Sequence, residues 1–214
     1  MIVAYFPFFI DIKGRKCLIV GGGNVAARKL KKIKGFEADI TVVAPEICDE
    51  ISGSEIKIIK RKFEDAVAED AFMVIAATDD RSLNHHIFEL CTQNGILINT
   101  VDDIENCGFI FPAIVNKNSI TAGISTGGEC PALAGVLRKA VDKLIDERYL
   151  FTADILGRFR AEIKGRFDTE NMRNKAMKAL LEMCMKADIK PDDNRIYDLL
   201  EKIENDSKNR NTQK

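Results

Sequence analysis

An excess of charge of either sign is missing from this sequence of 214 residues: 32 basic side chains stand against 33 acidic ones. No global field therefore draws the chain to nucleic acid or to an anionic membrane surface, and neither partner is expected. Long hydrophobic runs are missing too, and none approaches the ~18 residues of a membrane span. The apolar start MIVAYFPFFI has neither a basic leader nor a small-residue cleavage site, and it runs straight on to Asp11. It does not read as a signal peptide, and a cytoplasmic location is expected. The six cysteines (Cys17, Cys48, Cys91, Cys107, Cys130 and Cys184) include no C-x-x-C pair. That spacing argues against a disulfide framework and against structural zinc. Histidine occurs only as the adjacent pair His85–His86. Two neighbours on a helix cannot face one site, and neither has a histidine partner at i, i+4, so no metal site is expected.

What the chain does have is length enough for one substantial core and a smaller second unit. It also has a glycine turn in an informative setting. Cys17–Val20 is a short apolar run that reads as a buried strand; Gly21, Gly22 and Gly23 follow, and Asn24, Val25, Ala26 and Ala27 enter a helix. Gly21, Gly23 and Ala26 thus form G-x-G-x-x-A at a strand-to-helix turn, the arrangement that holds a dinucleotide diphosphate. Gly21 permits the tight turn, Gly23 admits the phosphates to backbone N–H groups, and Ala26 lets the helix lie close on the strand. The helix N-terminus adds partial positive charge and unpaired donors.

Further strands and helices alternate from there. Helices are predicted over Asn24–Lys34, ended by Gly35, and over Arg81–Gln93, closed by Asn94–Gly95; buried strands are predicted at Ile40–Ala44, Phe72–Thr78 and Ile96–Val101, with an edge strand at Ile56–Phe63. The aromatic run Tyr5–Ile12 is expected beside the sheet or over its edge. This pattern gives an α/β fold: a Rossmann-like open parallel sheet whose ligand crevice lies at the strand ends. Thr78 and Asp79 should sit beside the cofactor, although Asp79 or Asp80 as a helix N-cap reads equally well. Pro45 and Glu46 close the second strand, where an acid usually holds the adenosine ribose; the lack of a neighbouring arginine for a 2′-phosphate favours NAD over NADP. Asp102 follows the last buried strand, where a carboxylate can take a proton from a substrate carbon as hydride leaves; a turn-capping aspartate is the alternative reading.

Two short strands, Gly108–Val115 and Ser119–Ser125, precede Ser125, Thr126, Gly127, Gly128, Glu129, Cys130 and Pro131. Pro131 suits the first position of a helix reaching about Leu144, with Cys130 as its cap. The glycines make a second anion-friendly turn, suited to substrate carboxylates. Helices at Glu147–Gly165, Glu170–Ala187 and Arg195–Glu204 complete the chain, with breaks at Gly165 and Pro191 and a polar, frayed end at 206–214.

Tyr5–Gly14, VGGGNVAARK, AATDD, NTVDD followed by FIFPA, and STGGECPALA resemble, in order, the motifs of the precorrin-2 dehydrogenase/sirohydrochlorin ferrochelatase family, the amino-terminal module of siroheme synthases. The resemblance covers about residues 3–145. It implies NAD-dependent oxidation of precorrin-2 to sirohydrochlorin in siroheme biosynthesis and, in bifunctional members, Fe²⁺ insertion. It also implies a homodimer formed through about 114–145 and the helical tail, and three parts: 1–113 binding NAD, 114–148 for dimerisation, and 149–214 helical. Carried over, the catalytic aspartate falls on Asp102, the cofactor turn on Gly21, Gly22, Gly23, Asn24 and Val25, and the adenosine side on Pro45 and Glu46. A serine phosphorylated in some relatives falls on Thr126, and the serine before the family's proline on Cys130. Ser125, Thr126, Gly127, Gly128 and Arg138 are then the candidates for the tetrapyrrole's carboxylates, with Lys139, Arg158 and Arg160 as further cations. The reading from a different class is a non-catalytic NAD-binding module that senses redox state.

Overall fold

The computed structural model describes residues 5–211. Its centre is β1 (Lys16–Val20), which leads into α1 (Asn24–Lys34), β2 (Asp39–Val43), the single-turn α2 (Asp49–Ser52), β3 (Lys57–Ile59), β4 (Met73–Ala76), α3 (Arg81–Gln93) and β5 (Leu97–Thr100). The five strands form one parallel sheet in the order β3-β2-β1-β4-β5. The chain moves outward from β1 on one side, then crosses back to continue on the other, so the strand order reverses beside β1. Registers align Val20 with Val43 and Ala76, and Ala76 with Thr100. All four of these strands therefore end at one level, and the loops beyond them frame a crevice at the switch point.

Each face of the sheet is apolar, as a parallel sheet covered on both sides requires. Cys17, Ile19, Val42 and Ile75 pack against Ala26, Ala27, Leu30 and Ile33 of α1. Leu18, Val20, Val43, Val74, Ala76 and Ile98 pack against Ile87 and Cys91 of α3. Asp80 settles its own role as the N-cap of α3: its carboxylate accepts from the Ser82 and Leu83 N–H groups at 2.9 and 3.1 Å.

The hairpin β6 (Ala113–Lys117) and β7 (Ile120–Ile124) is antiparallel and separate from the main sheet. It is followed by α4 (Pro131–Leu144), α5 (Glu147–Arg166), α6 (Glu170–Lys186) and α7 (Asp193–Asn211). Ile155, Phe159 and Ile163 of α5, Leu180 and Cys184 of α6, and Ile196, Leu200 and Ile203 of α7 recur at three- and four-residue spacing and close one helical core. Asp146 and Thr169 cap α5 and α6 through their side chains. By packing the chain divides into two units: the first runs to Pro112 and includes Gly127–Glu129, and the second comprises Ala113–Thr126 and the chain from Cys130 on.

Several sequence expectations need correction. The Tyr5–Ile10 run, expected beside the sheet or over its edge, is irregular and stays exposed, Phe6 at 82% and Phe9 at 77%; Pro7 also lacks the N–H that a strand added there would donate. Only Ile12 of that run packs on the core. Gly108–Pro112 is not strand either: the Gly108 N–H donates to the Ile98 carbonyl, and the Phe109 carbonyl accepts from the Asn99 side chain. α5 ends at Arg166, one residue past the expected break at Gly165, and α7 continues through Asn211, with 212–214 outside the described residues. Among the described residues, no helix is long and apolar enough to cross a membrane.

Candidate functional site

Two grooves open at the C-terminal edge of the sheet. The larger, about 1090 Å³, is lined by Gly21, Gly22, Gly23, Asn24, Val25, Pro45, Glu46, Thr78 and Asp79, so every cofactor residue expected from the sequence faces one space. Its floor is the glycine turn. Gly21 has φ +122°, and a Cβ there would overlap the Ala77 carbonyl; a Cβ on Gly22 would overlap the carbonyl of Glu46. Those two glycines let three chain segments meet. Gly23 differs, because a Cβ there would enter open space. It is the N-cap of α1, no side chain caps that end, and the first turn holds no acid. Unpaired N–H groups and the positive end of the helix dipole are therefore presented to the groove, which suits a diphosphate. A dinucleotide fits this cradle.

Thr78 is held by a buried residue that sequence reasoning missed. The Asn84 side chain accepts from the Thr78 hydroxyl at 2.7 Å and donates to the Thr78 carbonyl at 2.9 Å. Its burial beneath the loop could be found only from the fold. Asp80 is taken up as a helix cap, while Asp79 lines the groove. Lys62 and Phe63, beyond β3, also line it and were not anticipated.

The second groove, about 540 Å³, holds Asp102 together with Arg28, Lys29, Lys32, Asn99, Thr100 and Cys107; Val25 lines both grooves. Asp102 sits just past β5 in the left-handed region, φ +58°, a conformation that aspartate tolerates better than most residues. It is exposed and makes no hydrogen bond among the described residues. Its neighbour behaves differently: the Asp103 carboxylate accepts from the side chain and backbone N–H of Asn106 at 2.6 and 3.2 Å. Hydrogen bonding by the Asn106 side chain holds the Asp103 carboxyl below the usual carboxylate range. Asp103 fixes the loop, while Asp102 lines the groove.

Asn99 braces this loop from inside. Its amide donates to Cys107 Sγ at 3.4 Å and to the Phe109 carbonyl at 3.0 Å, and its Oδ1 accepts from Lys29 Nζ at 2.8 Å. The Lys29 ammonium also lies 4.6 Å from the centre of the Phe111 ring. Burial, with Lys32 adding to it, pushes the Lys29 amine down to about 8. Burial likewise pushes the Cys107 thiol up.

The other substrate candidates are divided. Gly127 and Gly128 group with the first unit, where Gly128, φ +90°, lies close to Ile104 on the rim of the second groove. Ser125, Thr126 and Arg138 belong to the second unit. The Thr126 hydroxyl accepts from the Cys130 N–H at 3.2 Å, so it serves the start of α4, where Cys130 makes no side-chain cap. Among the described residues no group of His, Cys, Asp and Glu could hold a metal ion.

Comparison with known proteins agrees with this architecture. Residues 8–113 match the family described as putative NAD(P)-binding. A siroheme synthase of Thioalkalivibrio sulfidiphilus is 40% identical over 182 residues, 83% of this chain. The chain is a homologue of the siroheme synthases. A second siroheme synthase, from Blochmanniella pennsylvanica, is 41% identical over 75% of this chain. The chain spans 37% of the first relative's length and 34% of the second's. The solved structure of SirC, a precorrin-2 dehydrogenase, superposes with a TM-score of 0.73 over 94% of this chain and 100% of its own, at 24% identity, and shares the fold. The first unit therefore carries the fold of a nicotinamide dinucleotide site, as the glycine turn led one to expect.

Proposed function

We propose that this chain oxidises precorrin-2 to sirohydrochlorin in siroheme biosynthesis, in the cytoplasm, with NAD⁺ as hydride acceptor. The observation that carries the reading is Asp102, a free carboxylate at the end of β5, in a groove that shares Val25 with the dinucleotide cradle. A bound nicotinamide supplies an acceptor for the hydride leaving one substrate carbon. Asp102 takes the proton from the neighbouring carbon, and the electron pair of that C–H bond becomes the new double bond. The N–H groups at the start of α1 would hold the diphosphate and Pro45 and Glu46 the adenosine ribose, with Thr78 and Asp79 lining the same groove. Glu46 favours NAD, because its carboxylate would repel a 2′-phosphate.

The same base serves a second reaction of the homologues' pathway, in which Fe²⁺ is a substrate entering sirohydrochlorin and pyrrole N–H protons must leave. Residues 1–113 form the cofactor part in this reading, 114–148 join two copies, and 149–214 complete the helical part. The dimer is supported by α4, which exposes Leu133, Val136, Leu137 and Leu144, an apolar stripe that a partner copy would cover. Sedimentation of the full chain at micromolar concentration is expected to give a dimer.

The test of the activity is purified protein with precorrin-2 and NAD⁺, followed by NADH absorbance and by the spectrum of sirohydrochlorin, then sirohydrochlorin with Fe²⁺. Asp102→Asn keeps a residue tolerant of the left-handed backbone and removes the base. It is expected to lose at least about 100-fold in turnover, the usual scale for a general base, while NAD affinity stays within about twofold. Full activity in that variant removes Asp102 from the mechanism. Tight NAD binding by the parent with no turnover favours the redox-sensing reading.

A further inference from the structure

Arg28, Lys29 and Lys32 stand on adjoining turns of α1 and line the same groove as Asp102. Surface cations of this chain commonly find acids, as Lys13 does with Glu37 and Lys16 with Asp70. None of these three forms an ion pair with a carboxylate among the described residues. Lys29 gives its hydrogen bond to a neutral amide oxygen, and Lys32 reaches the Pro112 carbonyl at only 3.4 Å. Both ammonium groups lie beside the Phe111 ring, at 4.6 and 5.7 Å from its centre. Burial lowers the Lys32 amine, and Arg28 lowers it further. Three like charges share this groove, Lys29 among them half-buried, and the one carboxylate that acts on Lys29, Asp102, forms no ion pair with it, so an excess of positive charge raises the energy of the empty groove. An anion entering it would remove that cost.

We propose that Arg28, Lys29 and Lys32 form a carboxylate-binding subsite in the Asp102 groove, which takes the acidic side chains on the rim of the tetrapyrrole. The inference rests on the dehydrogenase reading above and adds the substrate-orienting residues to it. Its chemical basis is a constraint of size. The carbon that loses a proton and the carboxylates on the same pyrrole ring are a few bonds apart. A groove that presents a base to that carbon must accommodate those carboxylates at once. Arginine and lysine meet them with charge-assisted hydrogen bonds, and three cations on one helix fix which edge of the ring faces Asp102. The expected cations Arg138, Arg158 and Arg160 lie on α4 and α5 in the second unit, and Arg158 is already paired with Asp193 at 3.0 Å.

The test is fluorescence titration of the full chain with uroporphyrin, an oxidised polycarboxylate tetrapyrrole that cannot turn over. Arg28→Gln and Lys32→Gln, both near the mouth of the groove, are compared with Lys29→Met; NAD affinity and melting temperature are measured on each. The parent is expected to bind uroporphyrin with an affinity that falls as salt rises. Arg28→Gln and Lys32→Gln are each expected to weaken it about three- to tenfold, the range for partly solvated charge-assisted contacts. Their NAD affinities should match the parent's, and their melting temperatures should equal or exceed the parent's. Uroporphyrin affinity unchanged in both glutamine variants overturns the subsite and leaves the dehydrogenase reading standing. A loss of NAD affinity with uroporphyrin unaffected also overturns it, because the cations then serve the cofactor's phosphates. No uroporphyrin binding by a parent that still binds NAD overturns the tetrapyrrole reading itself, and the subsite with it.

Discussion

Replacing Lys29 with methionine should change how stability depends on pH, within one window. The Lys29 amine titrates near 8 in the folded chain against 10.5 for an ordinary lysine. Between those values the unfolded chain holds a proton that the folded chain has released, so the native state gains stability as pH rises from 8 to 10.5 and has lost that gain once pH falls back to 8. The full displacement corresponds to an upper bound of about 3 kcal/mol. Lys29 is only half-buried, and solvent screening reduces the expected effect to about 1–2 kcal/mol. The methionine variant also leaves Asn99 Oδ1 without its donor, a penalty of about 1–3 kcal/mol. That penalty does not vary with pH, and groups common to both proteins cancel in the difference, except Cys107, whose thiol the Lys29 charge holds lower. Urea unfolding of parent and variant from pH 7 to 10.5, each in a Cys107→Ser background, therefore isolates the lysine. The parent should gain on the variant by about 1–2 kcal/mol between pH 8 and 10.5. Parallel curves would mean that Lys29 is solvated, and the account of its burial would be wrong.

The glycine turn separates fold from ligand: Gly23→Ala, whose methyl meets open space, should melt like the parent but bind NAD at least about tenfold more weakly, because the methyl stands where the diphosphate approaches. Gly22→Ala, which collides with the Glu46 carbonyl, should lose about 1–3 kcal/mol of stability as well, as overpacked sites do; calorimetry and NAD titration on the pair check both. Asp80→Ala removes two hydrogen bonds at the start of α3 and should lower stability by about 1 kcal/mol in chemical unfolding. Hydrogen bonds from Lys208 and Arg166 hold the Glu204 carboxyl low, so the stability they supply is present above the ordinary carboxylate range and lost as pH falls through it. The acid limb of the unfolding curve should accordingly be shallower in Glu204→Gln than in the parent.

Helix ends were the most legible part of the chain, because their signals are local. Asn24–Lys34, Arg81–Gln93 and Pro131–Leu144 begin and end where the sequence places them, at a glycine turn, an aspartate cap and a proline. Strands were legible as apolar runs, the buried ones with ends one or two residues adrift and the edge strand Ile56–Phe63 four residues too long at its end, being observed as Lys57–Ile59, since burial marks a strand and hydrogen-bond partners decide its length. Gly108–Pro112 misled for that reason: Phe109 and Phe111 are apolar because they pack on the first core, not because they pair. Tyr5–Ile10 misled because an aromatic run does not reveal whether any apolar surface is left for it to cover. Gly165 marked the end of α5 to within one residue, because a glycine there is a local signal. Asp102 and the residues of the larger groove were visible from their places after strands. Lys29 was not: what makes it unusual comes from Asn99 and Phe111, far along the chain, and on its own helix it is one lysine among several.

The position of β1 has a consequence for biosynthesis. It is the first strand of the sheet to leave the ribosome, yet it lies at the centre, with β2 on one side and β4 on the other. Until Met73–Ala76 has been translated, the apolar stretch Cys17–Val20 keeps one flank of unsatisfied amides and carbonyls. Such a flank invites pairing with other nascent chains. The half-sheet β1–β2–β3 is thus the vulnerable intermediate, and slowing elongation before residue 73 should lower the soluble yield more than slowing it after residue 100.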